Sequence, residues 1–197
     1  MRAIVWACML TAVGMLCLTG CSTAPKTVEA RTDLDQEVRE TIDLARQTDP
    51  GIQGFIDSSA GYAVFPSVGK GAVGVGGAFG RGELIQDGKM VGYCTLTQAS
   101  VGLALGGQSY SELIFFETPA ALEDFKSGDY TFAAQVSAVA LKSGASANAK
   151  YSDGVAVFTL GEQGLMVEAS VGGQRFSFRP VAVAQDVPAQ PVPTPER

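Results

Sequence analysis

Between Ala72 and Gly82 every second residue is tiny: Ala72, Gly74, Gly76, Ala78, Gly80 and Gly82. The intervening set is Val73, Val75, Gly77, Phe79 and Arg81. Alternate residues of an extended chain share a face. This stretch therefore reads as a strand with one face almost without side chains, which another backbone or a helix can approach closely. Ser100, Gly102, Ala104 and Gly106 repeat the pattern against Val101, Leu103 and Leu105. Two such strands predict a tightly curved sheet or a small barrel, with the large residues filling its other side. A helix here is excluded, because each interior glycine costs about 1 kcal/mol relative to alanine. The same glycines dispose of Gly69-Lys70-Gly71-Ala72-Val73-Gly74 as a dinucleotide-binding turn, which needs a helix to start at that point.

The rest of the chain is organised around that sheet. Leu34, Val38, Ile42 and Ala45 recur at spacings of four, four and three, which predicts a helix over 33–47 with one apolar face. Thr32 or Asp33 can cap it, and Asp49-Pro50-Gly51 stops it. A short strand over 61–65 is expected to end at Pro66. Strands over 83–86 and 89–97 flank Asp87-Gly88, a strong hairpin signal. Residues 101–105 and 110–116 are strand-like. Thr118-Pro119 opens a short helix ending near Lys126. A second hairpin is predicted from 155–160 and 165–171 around 161–164, with a last strand over 175–178. The expected fold is α+β: a mainly antiparallel, glycine-rich, strongly curved β-sheet or small barrel-like sandwich, with an N-terminal amphipathic helix and one short internal helix.

At the start of the chain, one basic residue, Arg2, precedes an apolar run that closes at Leu18-Thr19-Gly20-Cys21. The run is short for a membrane span and reads as a secretory signal. Its final cysteine resembles a bacterial lipobox. That resemblance implies a signal peptide over 1–20, cleavage before Cys21 and acylation of the new terminus. Two or three acyl chains, at about 0.8 kcal/mol per buried methylene, make a lasting anchor. Residues 21–31 read as a polar tether and 32–180 as the domain. After Pro180, Pro188, Pro191, Pro193 and Pro195 mark 181–197 as a disordered tail.

Composition removes several functions. The 197-residue chain carries a net charge of −6, and loss of Arg2 with the signal makes it −7. An acidic protein gains nothing from a phosphate backbone, so nucleic acid is not an expected partner. The chain has no histidine, which excludes Ser-His-Asp and Cys-His catalysis and makes a zinc site implausible. Ser67-Val68-Gly69-Lys70 matches S-x-x-K by coincidence, since no K-T-G accompanies it. No catalytic, metal or cofactor residues are assigned. With Cys8 and Cys17 in the signal and Cys21 taken by lipid, Cys94 reads as a small buried hydrophobe.

Several short motifs occur in one order. Ala60-Gly61-Tyr62-Ala63-Val64-Phe65-Pro66, Lys70-Gly71 and Gly76-Gly77-Ala78-Phe79-Gly80-Arg81-Gly82 come first. Gly106-Gly107-Gln108, Glu112-Leu113-Ile114-Phe115-Phe116 and Gly164-Leu165-Met166-Val167-Glu168-Ala169-Ser170-Val171 follow. The series resembles the SYLF lipid-binding domain over residues 34–178. The resemblance implies a lipid- or membrane-binding module; eukaryotic members bind phosphoinositides and some associate with actin. The present chain departs in its first helix, where Asp33, Asp35, Glu37, Glu40 and Asp43 outnumber Arg39 and Arg46. An anionic membrane repels such a helix.

The expected function is a lipid-anchored cell-envelope protein with a non-catalytic phospholipid-binding domain. Candidate lipid contacts are Lys70, Arg81, Leu34, Val38 and Ile42, and Cys21 is the lipidation site. Ser22 after the acylated cysteine points to the outer membrane, facing the periplasm. The alternative is an envelope assembly module that binds another protein. A transmembrane β-barrel fits less well, because its strands need about ten residues of alternation.

Overall fold

The computed structural model describes residues 23–127, 131–132 and 138–181. The expected signal peptide, Cys21 and the proline-rich tail from residue 182 lie outside these residues. Helix α1 spans Val28–Thr48, and the Thr27 hydroxyl caps it by accepting from Ala30 N at 3.2 Å. It thus starts before the expected Thr32 or Asp33 and takes in the end of the expected tether. The periodicity missed that first turn because Val28 is exposed. Helix α2, Ile52–Ser58, follows directly and was not anticipated; it is only seven residues long and contains Gly54. Its Phe55 packs on Phe115, Tyr151 and Phe158, with ring centroids 5.0–5.6 Å apart.

Three long strands make the body of the sheet: β1 Gly61–Gln86, β2 Lys89–Phe116 and β5 Val155–Pro180. Helix α3, Pro119–Lys126, begins behind the Thr118 cap as the sequence predicts. Two short strands, β3 Thr131–Phe132 and β4 Val139–Ala140, pair with β5. The path is β1-β2-β5-β3, with β4 parallel to β5 and every other pairing antiparallel. The sheet is therefore mixed and open, with β1 and β3 at its two ends.

The Asp87-Gly88 hairpin is as expected, with positive φ of 51° and 71° at its two central residues. The expected breaks are bulges instead. Pro66 does not end its strand; the register shifts between Phe65 and Val68 and the strand continues. A proline lacking its N–H is tolerated at a bulge on an edge strand. The hairpin predicted at 161–164 is absent, and β5 runs through it. A register shift between Ser109 and Ser111 lies opposite Leu160 and Gln163, and Gly161 takes a φ of 69°. The glycine there marks a bulge, not a turn.

The bare face behaves as its composition requires. A Cβ at Gly82 would overlap the Val64 carbonyl, and one at Gly80 would lie 2.9 Å from Val68 Cγ2. Residues 61–68 and 80–85 belong to the same strand, so β1 bends far enough to stack its end on its beginning. The bend centres on Gly74, where φ is 75° and the register slips between Val73 and Val75. The expectation that large residues fill the opposite face is overturned: Val73, Val75, Val101 and Leu105 are 81, 68, 68 and 66 % exposed. Gly76, Ala78, Gly80 and Gly82 are buried instead, because the close approach uses the small face.

Strand alternation splits the core in two. Phe65, Leu84, Leu96, Ile114, Phe116 and Phe176 lie together with Leu122 and Phe125 of α3. On the other face, Tyr62, Val64, Ile85, Leu113, Phe115 and Phe158 cluster with Leu34, Val38, Ile42 and Ala45 of α1. Cys94 is buried and free, as expected.

Candidate functional site

Four of the exposed apolar residues among the described ones form two cross-strand pairs, set apart by Gly74 on β1 and by residues 102–104 on β2. Val73 lies opposite Leu105 and Val75 opposite Val101 in the β1–β2 register. Facing pairs are the unit of contact on a sheet surface, and both pairs are uncovered, on either side of the register shift at Gly74. Phe79 continues along the same strand, half exposed, with the Arg81 guanidinium 5.4 Å from its ring centroid. A cation at that distance is attracted by the ring.

The five lipid contacts expected from sequence are not brought together. Leu34, Val38 and Ile42 are buried between α1 and the sheet, so their apolar area is already removed from water within the protein. Arg81 is exposed beside Phe79, close to Asp33 and Glu37 of α1 around a cavity of about 360 Å³. Lys70 is half-buried, and its charge acts on Glu112.

Two buried acids were missed. Glu112 is 1 % exposed; its Oε2 accepts from Gln174 Nε2 at 3.3 Å, while Oε1 has no partner. Burial pushes its carboxyl up to about 7, against the opposing pull of the Gln174 hydrogen bond and the Lys70 charge. Glu83, also 1 % exposed, lies on the face beneath α1. Burial pushes it up to about 7, Asp35 adds to the rise and Arg39 opposes it. The signal was present in the sequence: each acid stands inside an apolar strand, in Gly82-Glu83-Leu84-Ile85 and Ser111-Glu112-Leu113-Ile114. Alternation sends the first toward the Ile85 face and the second toward the Ile114 face.

A third acid is structural. Asp49 accepts from Ser146 N at 2.7 Å and from Gly51 N at 3.1 Å, which joins the α1 C-terminus to the 3₁₀ turn Ser146–Asn148. Those backbone donors hold its carboxyl below the usual range. Burial raises the Cys94 thiol well above its ordinary value, which disfavours the thiolate form. Among the described residues, no helix is long and apolar enough to cross a membrane.

Residues 97–185 match the family model described as "Ysc84: Las17-binding protein actin regulator". Over these residues the chain is similar to Ysc84/SYLF-type domains. Its matched part takes in the end of β2, α3 and β5, and so the buried Glu112 and half of the exposed apolar patch. Beta cell expansion factor A of Aeromonas veronii is 29 % identical to the chain over 158 residues. That alignment covers 77 % of this chain and 59 % of the relative, so the chain spans about three fifths of that protein's length. The SYLF resemblance read from the motif order thus meets an independent match over the second half of the domain.

Proposed function

We propose that this SYLF-type domain is a non-catalytic membrane-binding module that contacts phospholipid through the Val73–Leu105 and Val75–Val101 pairs. The observation that carries this reading is the exposure of four aliphatic side chains in two cross-strand pairs on the same stretch of β1 and β2. Large apolar side chains exposed together on a sheet often mark a surface that meets a partner or a membrane. Burial at about 25 cal/mol per Å² makes each side chain worth on the order of 1–2 kcal/mol, so the patch alone binds modestly. Acylation of Cys21 completes the proposal. It holds the domain at high effective concentration near the bilayer, so that weak contacts suffice. In this reading the protein faces the periplasm from the outer membrane, as Ser22 after the lipidated cysteine suggests.

The first test is co-sedimentation of the full chain, with Cys21→Ser to remove the anchor, on vesicles of neutral and of anionic lipid. Saturable binding that depends weakly on salt and is lost in Val75→Asp and Val101→Asp supports apolar contact. Absence of binding to any vesicle favours instead a protein partner on the same patch. Metabolic labelling with a fatty-acid analogue tests acylation, and an unlabelled wild type refutes it.

A further inference from the structure

Beneath the first turns of α1 lies a cavity of about 240 Å³ lined by Arg31, Thr32, Asp35, Glu83, Met90 and Tyr93. Drug-sized ligands need about 300 Å³ or more, so this space suits a headgroup-sized fragment. Its floor is unusual. Glu83 is 1 % exposed, and the charges that act on its carboxyl are those of Asp35 and Arg39. A buried carboxylate is costly unless it is well paired, and the cavity is where a further donor can reach it. Asp35 adds a second carboxylate, shared with Arg39. Arg31 is fixed at the rim: its Nε donates to Pro25 O at 3.1 Å and its guanidinium carbon sits 5.9 Å from the Tyr93 ring centroid.

Negative groups at the floor and a positive one at the rim select a zwitterion. We propose that this cavity binds a phosphoethanolamine group, with the ammonium on Glu83 and Asp35 and the phosphate on Arg31. A divalent metal does not suit it, since no three acidic or cysteine side chains converge among the described residues. A quaternary ammonium lacks N–H donors for Glu83, and Arg31 already occupies the single aromatic face. A polyamine would bring its second ammonium against Arg31. The position also fits. Seven residue steps of at most about 3.5 Å place the start of α1 within roughly 25 Å of the Cys21 sulfur, close to headgroups if Cys21 is acylated. The inference therefore deepens the membrane-binding reading by naming the headgroup, and it rests on that reading for the lipid as source.

The test is calorimetric titration of the full chain, with Cys21→Ser, using glycerophosphoethanolamine, glycerophosphocholine and ethanolamine as probes. Saturable binding is expected for glycerophosphoethanolamine, and weaker binding for the other two. Glu83→Gln keeps the shape and removes the charge. It should weaken binding roughly tenfold or more, the loss of one charge-assisted hydrogen bond. Asp35→Asn and Arg31→Gln, near the surface and harmless to folding, should each weaken it less. Glu112→Gln should leave it unchanged. Wild-type protein that shows no saturable binding, that binds glycerophosphocholine equally well, or that loses nothing in all three variants overturns the proposal. Vesicles with and without phosphatidylethanolamine identify the source. Lipid-dependent binding that falls in Glu83→Gln assigns a membrane headgroup, and binding of the soluble ester alone assigns a free one. Val101→Asp separates the two readings, since it should abolish vesicle binding and spare the soluble ester.

Discussion

Gln174 donates its side-chain amide to Glu112 at 3.3 Å, across the concave side of a sheet in which the two residues are far apart in register. Gln174 pairs with Gln98 on β2, and Glu112 pairs with Thr159 on β5. Their contact is possible only because the long strands bend, so it reports on the bend itself. Glu112→Gln keeps a hydrogen-bonding group there and removes a buried charge. The variant is expected to be more stable than wild type at pH 8, by about 1–3 kcal/mol, measured by urea unfolding.

The pH dependence of stability follows from the same group and from Glu83. Both are pushed up to about 7 from an ordinary 4.5. Between those values the folded protein holds protons that the unfolded chain has released, so stability falls as pH rises through the window. Thermal melts should give a lower Tm at pH 8 than at pH 5.5, and the double variant Glu83→Gln/Glu112→Gln should flatten the difference. Asp49 acts in the opposite sense. Its carboxyl is held below 3.8, so its contribution is lost as pH falls through that lower value. Equal Tm values at pH 5.5 and 8 in the wild type would contradict the assignment.

Removing the Asp49 carboxylate leaves the Ser146 and Gly51 amides without their acceptor. Asp49→Ala should cost about 1–3 kcal/mol. The effect should appear first as faster amide exchange around 144–149, read by mass spectrometry.

The small face of β1 should not accept side chains. Gly82→Ala places a methyl on the Val64 carbonyl, and Gly76→Val meets Ser100 Oγ and the Ala72 methyl. Each should destabilise by roughly 1–3 kcal/mol or more through overpacking. In contrast, Val75→Asp on the opposite, exposed face should leave the melting temperature within about 1–2 °C of wild type, because surface changes are usually near neutral. A Gly82→Ala protein that melts like wild type would show that the strand does not stack on itself.

Local chemistry was the legible part of this sequence. Asp87-Gly88 and Thr118-Pro119 carry their own turn and cap geometry, and the 34–38–42–45 spacing carries its own buried face. The tiny alternating residues announced a close approach. What they could not give was the fate of the other face: a curved sheet can either cover its large residues or leave them outside, and the self-stacking of β1 leaves Val73 and Val75 exposed. The breaks at Pro66 and 161–164 were misread because a bulge and a turn use the same residues. The distinction lies in the partner strand, which continues past both. Glu83 and Glu112 were legible as acids within apolar strands, but the Arg31–Tyr93 stack and the cavity under α1 come from residues remote in sequence.

The pairing of β2 with two partners has a kinetic consequence. Its contacts with β1 grow outward from the Asp87-Gly88 turn and can zip up locally. Its contacts with β5 join Gly92 to Pro180 and must wait for most of the chain. Loop closure of that span is slow relative to hairpin growth. During the interval one hydrogen-bonding edge of β2 has no neighbour, while the patch at Val101 and Leu105 is already formed beside it. The most vulnerable moment of this protein is thus a half-built sheet, and nascent chains at high concentration are expected to associate through that edge before β5 arrives.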